Sequence, residues 1–109
     1  MRLERIASVI KDEIAKALLK TVHDKRIGFV SITDVIVSPD LSYAKVFYSA
    51  FGSESQKKNT HEGLLSATKV IQRNVAKALT TKVTPKLHFV EDLSIDRGSR
   101  VLDQLNHLD

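Results

Sequence analysis

The chain has 109 residues, a formal net charge of +4 and no cysteine. A chain of this length fits one domain and can bury enough apolar surface to fold without disulfides or a structural metal. The lack of cysteine excludes disulfides, thiolate metal ligands and a cysteine nucleophile. Residues 1–20 carry charges throughout, so we expect no signal peptide, no membrane span and a cytoplasmic location.

Hydrophobic periodicity and turn residues predict the first three elements. Apolar residues recur at three- and four-residue spacing over residues 3–22, which predicts an amphipathic helix with one buried side. Residues 29–37 and 42–51 are rich in β-branched and aromatic side chains, and residues 38–41 between them are typical of a turn. We therefore expect an antiparallel hairpin after the helix.

Alternation along the second strand predicts which of its side chains face the core. One face carries Ala44, Val46 and Tyr48. The other face carries Tyr43, Lys45 and Phe47. Successive side chains of a strand point to opposite faces, and a lysine is rarely buried, so we expect the second face to be solvated.

The second half of the chain predicts a long helix, a third strand and a further helix. Helical spacing resumes after residue 59 and runs to residue 80, before Pro85 biases Thr84 away from helical angles. Lys86–Glu91 alternates as a strand does, and residues 94–108 return to helical spacing. The predicted fold is an α+β domain over residues 1–109, with the order helix, strand, strand, long helix, strand, helix.

Positive charge is concentrated in residues 57–87, which hold seven cations and one anion, Glu62. Lys69, Arg73 and Lys77 follow at four-residue steps and so form one ridge on the predicted helix. A row of cations fits a phosphate backbone, because each neutralised phosphate releases condensed counterions. The plainer alternative is a solvated helix face, but such a face usually interleaves acids. We therefore favour a nucleic-acid partner.

No constellation of residues predicts catalysis or metal binding. The four histidines fall in different predicted elements, without a partner at a ligand spacing, and the four glycines are isolated. The acid pairs at 12–13 and 91–92 are neighbours in sequence and so point in different directions. Tyr43, Phe47 and Phe51 are the aromatic residues near a predicted sheet surface, and we expect them to pack rather than stack on bases. We expect no enzyme activity, no cofactor, no metal, and recognition of RNA backbone and shape.

Short sequence strings along nearly the whole chain carry a family resemblance. They are residues 5–14, Asp24-Lys25-Arg26-Ile27-Gly28, residues 35–46, and Pro85-Lys86-Leu87-His88-Phe89 with Asp92. In this order and spacing the chain resembles the ribosome-binding factor A family, whose fold is similar to type II KH domains. The resemblance implies the order α-β-β-α-kink-α-β, in which a kink between two helices replaces the glycine-rich loop of KH domains.

The family pattern at the kink is Ala-x-Gly, and the corresponding residues here are Ala67, Thr68 and Lys69. A lysine costs a helix less stability than a glycine, by up to about 1 kcal/mol, so we expect a gentler kink. The resemblance also implies a function: a monomeric bacterial factor that binds free or immature 30S subunits, contacts 16S rRNA and assists its late folding and processing. The resemblance also implies a role in growth in the cold and contacts with other 30S assembly factors.

We expect further cations to join the ridge on RNA. They are Lys82 and Lys86 after the predicted helix, and Arg2, Arg5 and Arg26 from the side of the first helix. Binding free energy alone would then hold a maturation intermediate. Three alternatives stay open from the sequence: a permanent structural ribosomal protein, an RNA-processing enzyme or its accessory subunit, and a KH-like protein-interaction module.

Overall fold

The first helix, α1, spans Arg2–Lys20. The computed structural model of the protein describes residues 2–81 and 83–93. The residues of α1 that are buried in the core are Ile6, Ile10, Ile14 and Ala17. They belong to the predicted apolar stripe, so that prediction is confirmed.

The expected hairpin is formed by β1 (Val30–Val37) and β2 (Tyr43–Ala50), which pair antiparallel with a bulge between Ile32 and Asp34. The hydroxyl of Ser38 holds the turn: its Oγ accepts the backbone N–H groups of Ser42 and Tyr43, at 3.1 Å each. The Ser38 side chain thus supplies an acceptor for two backbone N–H groups of the turn.

The faces of β2 are those that alternation predicts. Ala44, Val46 and Tyr48 are buried, whereas Tyr43 and Lys45 are exposed. The strand therefore has one side in the core and one side towards solvent.

The second helix, α2, spans Glu54–Ala78 and begins earlier than the sequence periodicity predicts. Ser53 caps it: the Ser53 Oγ accepts the backbone N–H of Gln56, and the Gln56 Oε1 accepts the backbone N–H of Ser53 at 2.7 Å. This capping box satisfies donors that the first turn leaves unpaired. Residues 54–59 are polar because this part of the helix is almost entirely exposed, and for that reason periodicity missed it.

One continuous helix runs through Ala67, Thr68 and Lys69, so a bend there does not interrupt the helix. The gentler kink that we expect at these residues stays a prediction. Lysine has no preference for the backbone conformations that glycine adopts at helix ends, so it continues the helix. The hydroxyl of Thr68 donates to the carbonyl of Leu64 at 2.9 Å, a back-bond of the kind that bends helices without ending them.

The third strand, β3, spans Lys86–Glu91, as predicted, and pairs parallel with β2. The strand order is β1-β2-β3, so β2 is central. Both helices pack on one face of this sheet and contact each other there. The other face is not covered by any element of residues 2–81 and 83–93.

The α+β class and the order of helices and strands are confirmed as far as residue 93. The predicted helix within residues 94–108 lies outside the described residues, as does Lys82. In residues 2–81 and 83–93 no helix is long and apolar enough to span a membrane.

Candidate nucleic-acid interface

Three cations lie in a row along the exposed side of α2: Lys69, Arg73 and Lys77, which we call the α2 ridge. The opposite side of the helix enters the core through Leu64, Ala67, Ile71 and Val75. Burial of that side fixes the rotation of the helix, so the cations must face solvent. Four residues advance about 6 Å along a helix, so the ridge spans about 12 Å.

The cations of the α2 ridge are available to an external anion. Among the described residues no salt bridge joins Lys69, Arg73 or Lys77 to an acid; the pairs are Lys16 with Glu13 and Arg26 with Asp24. Within residues 2–81 and 83–93, no ion pair therefore compensates the positive charge of the ridge. A phosphate that reaches it would release counterions and displace no carboxylate.

Arg26 differs from the ridge because Asp24 already holds it. Its Nη2 lies 2.7 Å from Asp24 Oδ2, and its Nε donates to Asp24 Oδ1 at 3.0 Å. The hydrogen bonds from the Arg26 side chain and backbone lower the pKa of Asp24 to about 2, and the same contact raises the pKa of Arg26. Because the carboxylate of Asp24 compensates the charge of this guanidinium, we expect Arg26 to attract phosphate less strongly than an unpaired arginine.

The loop that carries Arg26 rests on the first half of α2. The backbone N–H of Gly28 donates to Thr60 Oγ1 at 3.2 Å, and Thr60 is buried. Gly63 lets the loop approach: a Cβ on it would lie 2.6 Å from Cγ1 of Ile27. Gly63, isolated in sequence, thus allows the loop and α2 to pack together.

Lys86 is separated from the α2 ridge by the sheet. The Gln72 side chain of α2 donates through Nε2 to the carbonyl of Pro85 and accepts through Oε1 the backbone N–H of Leu87, at 3.1 Å. These bonds fix the start of β3, with Leu87 towards the helices. Lys86 therefore points to the open face, and the structure does not bring it to the ridge.

Arg2 and Arg5 lie exposed in the first turns of α1. The two helices share one layer, so these arginines belong to the same side of the sheet as the α2 ridge. Of the eight cations that the sequence points to, the structure places three in one row and two in the same layer. Arg26 is compensated, Lys86 faces the other way, and Lys82 is outside the described residues.

Sequence reasoning missed a second cluster on the open face of the sheet. Tyr43 lies opposite Lys86, and Lys45 lies opposite His88, across the parallel pair β2 and β3. Tyr43 is 42% exposed and Phe51 is 55% exposed, so the expectation that they pack is wrong for these two residues. Alternation alone puts Tyr43 and Lys45 on one face, but only the pairing of β2 with β3 brings Lys86 and His88 beside them.

A second histidine, His61, links the helix α2 to the strand β2. His61 on α2 accepts or donates a 2.6 Å hydrogen bond between Nδ1 and the hydroxyl of Tyr48 on β2. Burial, with a smaller contribution from Glu91, raises the pKa of Tyr48 to about 12, so this phenol stays protonated at neutral pH. In the part of the chain that the structure describes, no three His, Cys, Asp or Glu residues gather where they could hold a metal.

Comparison with known proteins shows similarity in both sequence and fold. The sequence model described as Ribosome-binding factor A matches residues 2–105. A Ribosome-binding factor A of Trichodesmium erythraeum is 47% identical over 109 residues, covering 98% of this chain and 80% of the relative. A solution structure of a Thermotoga maritima protein has a TM-score of 0.71 at 32% identity, over 84% of this chain and 88% of that one.

A second structural likeness concerns a ribosome complex. Coordinates of a Thermus thermophilus ribosome binding factor A, a homology model fitted into a cryo-electron-microscopy map of a 30S complex, align with a TM-score of 0.61. The identity is 20%, over 84% of this chain and 91% of that one, so the likeness is one of fold.

Proposed function

Because the chain belongs to the ribosome-binding factor A family, we propose that it binds free or immature 30S subunits by holding phosphates of 16S rRNA on the α2 ridge. The observation that carries the proposal is the row of three exposed cations on a helix whose other side is locked in the core. The Thermus thermophilus relative fitted into a 30S complex supports the choice of partner.

The proposed action is binding without catalysis. A protein that binds one rRNA conformation better than others shifts the population towards it by its differential affinity. Such a shift would assist late folding and processing of 16S rRNA in the cytoplasm, most of all in the cold, where misfolded RNA rearranges slowly. Release follows when the mature subunit presents a surface to which the protein binds less well.

The proposed phosphate contacts come from the helical layer. Lys69, Arg73 and Lys77 form the centre, with Arg2 and Arg5 as supporting contacts. Each phosphate contact contributes roughly fivefold in affinity at physiological salt, so losing three would weaken binding about 100-fold. The test is sedimentation of purified 30S subunits, free or immature, with the Lys69→Gln, Arg73→Gln, Lys77→Gln triple variant.

A matched control removes the same charge elsewhere. Lys16, Lys20 and Lys25 are exposed at the far end of α1 and in the loop after it. The triple variant of these three residues to Gln should sediment with subunits as the wild type does. Equal loss in both triple variants would show general charge attraction, and no loss in the ridge variant would show a partner held by other means; either result overturns the ridge as the binding site.

The same preparation separates the proposal from the enzymatic alternative. Wild-type protein incubated with precursor 16S rRNA in immature subunits should leave the RNA uncut. Cleavage by the purified protein, lost in an acid-to-amide variant, would contradict a purely binding role.

A further inference from the structure

The open face of the sheet is unusually apolar and aromatic for a surface in water. The side chains that point away from the helices include those of Ile36, Tyr43, Lys45, Phe47, Lys86, His88 and Val90. Ile36 is 53% exposed, Tyr43 42% and Val90 37%. Contiguous exposed apolar groups with charged neighbours are typical of an interaction surface.

The centre of this face combines rings with cations at fixed spacing. The rings of Tyr43 and His88 meet edge to face, with centroids 5.9 Å apart and planes at 79°. They border a shallow depression of about 360 Å³, together with Lys45 and Val90. Lys86 stands directly opposite Tyr43 in the parallel pair. The strands hold these groups in place, so their arrangement costs a ligand little ordering.

The charge of this surface selects among partners. In the described residues of β2 and β3, the side chains on the open face include two lysines and no carboxylate. One carboxylate borders this surface from β1: Asp34 is exposed and pairs with Phe47 across the strands, and its Oδ1 accepts the backbone N–H of Val35 at 2.9 Å. Lysine is depleted at protein–protein interfaces, whereas lysines around an aromatic pair match a base with its flanking phosphates.

We propose that Tyr43, Lys45, Lys86 and His88 form a second RNA site, which we call the sheet site, and which binds an unpaired nucleotide. The base stacks against the Tyr43–His88 pair, and the two lysines contact phosphates on either side of it. The sheet site lies on the opposite layer from the α2 ridge, so it does not depend on the proposed ridge contact. Every base has a stackable face, so the site tolerates different sequences.

The test is titration of the full chain with short oligouridylate, followed by NMR of backbone amides and by fluorescence anisotropy. Amide shifts should cluster at residues 43–47 and 86–90. Tyr43→Leu should weaken binding about 5- to 150-fold, the loss of one base–aromatic stack, whereas Tyr43→Phe should keep it. The Lys69→Gln, Arg73→Gln, Lys77→Gln variant should keep the shifts on the sheet, which separates this site from the ridge.

A second variant guards against loss of folding. Lys45 and Lys86 are exposed, so Lys45→Gln with Lys86→Gln should leave the thermal unfolding midpoint unchanged and weaken oligouridylate binding. Shifts confined to α2, or wild-type affinity in folded Tyr43→Leu and in the lysine double variant, would overturn the proposal. The proposal would also be overturned if the amide resonances of the open face shifted with protein concentration but not with added oligonucleotide. A second copy of the chain would then occupy this face.

Discussion

At the scale of single residues, the contact between Asp24 and Arg26 decides how one predicted RNA-binding cation behaves. The two side chains share a fork of hydrogen bonds at 2.7 and 3.0 Å on an exposed loop. The sequence shows the two residues close together, but it does not show that they pair, because side chains two residues apart meet only in some backbone conformations. The turn exists because Ile27 and Gly28 anchor the loop on α2.

The same contact predicts a pH dependence. The pKa of Asp24 falls from 3.8 to about 2 on folding, because Arg26 donates hydrogen bonds to the ionised carboxylate. A depressed pKa stabilises the folded state above the unfolded value, and this stabilisation disappears as pH falls through the folded value. The free-energy difference between wild type and Asp24→Asn should therefore shrink from about pH 4 downwards.

Urea unfolding of both proteins over an acid series measures this difference. The matched comparison is the same substitution in an Arg26→Leu background, where the shrinkage should be smaller because the guanidinium donors are absent. Parallel pH curves for wild type and Asp24→Asn would contradict the assignment.

At the scale of elements, Gly63 makes the packing of a loop against a helix possible. A Cβ at this position would lie 2.6 Å from Cγ1 of Ile27 and 3.4 Å from Cβ of Arg26. Gly63→Ala improves helix propensity by about 1 kcal/mol, but the overlap costs about 1–3 kcal/mol. We expect the overlap to dominate and the free energy of unfolding to fall.

A double-mutant cycle with Ile27→Ala isolates the overlap. With Cγ1 of Ile27 removed, Gly63→Ala should become neutral or stabilising, so the cycle should give a coupling of about 1–3 kcal/mol. Ser66→Ala, an exposed change on the same helix, should shift stability by less than about 0.5 kcal/mol in either background. Additive effects of Gly63→Ala and Ile27→Ala would show that the loop does not press on the helix.

The elements were predictable to the extent that one side of each is buried. Periodicity identifies α1, and alternation identifies the faces of β2 and β3, since burial imposes a repeat on the sequence. The start of α2 was not predicted, because the side chains of its first turns are exposed and so leave no hydrophobic periodicity. The sequence signal for this start was the capping pair of Ser53 and Gln56. The gentler kink expected at Ala67, Thr68 and Lys69 stays a prediction, and the helix is continuous through these residues.

At the scale of the whole molecule, contacts between distant parts of the chain decide which cations act together. The ridge could be predicted because four-residue spacing on one helix is local. The sheet site could not, because Tyr43 and Lys86 meet only through the parallel pairing of β2 with β3. The same pairing turns Lys86 away from the ridge, although the two are close in sequence.

The two proposed RNA contacts differ chemically and therefore predict different responses to salt. Removing a phosphate contact lowers the slope of log affinity against log salt by about 0.7–0.9, whereas removing a stacked ring lowers affinity at every salt concentration. With immature 30S subunits, the Lys69→Gln, Arg73→Gln, Lys77→Gln variant should lose about 2–3 from the slope. Tyr43→Leu should lower affinity and leave the slope unchanged, because it removes no charge.

The measurement is a salt titration of subunit binding with wild type, both variants and their combination. Because the two surfaces lie on opposite layers and share no residue, their effects on free energy should add within about 0.5 kcal/mol. If the ridge variant kept the wild-type salt slope, the α2 ridge would not contact phosphates. A Tyr43→Leu variant with wild-type subunit affinity, yet weakened oligouridylate binding, would show that the sheet site accepts unpaired RNA but that the immature subunit offers none within its reach.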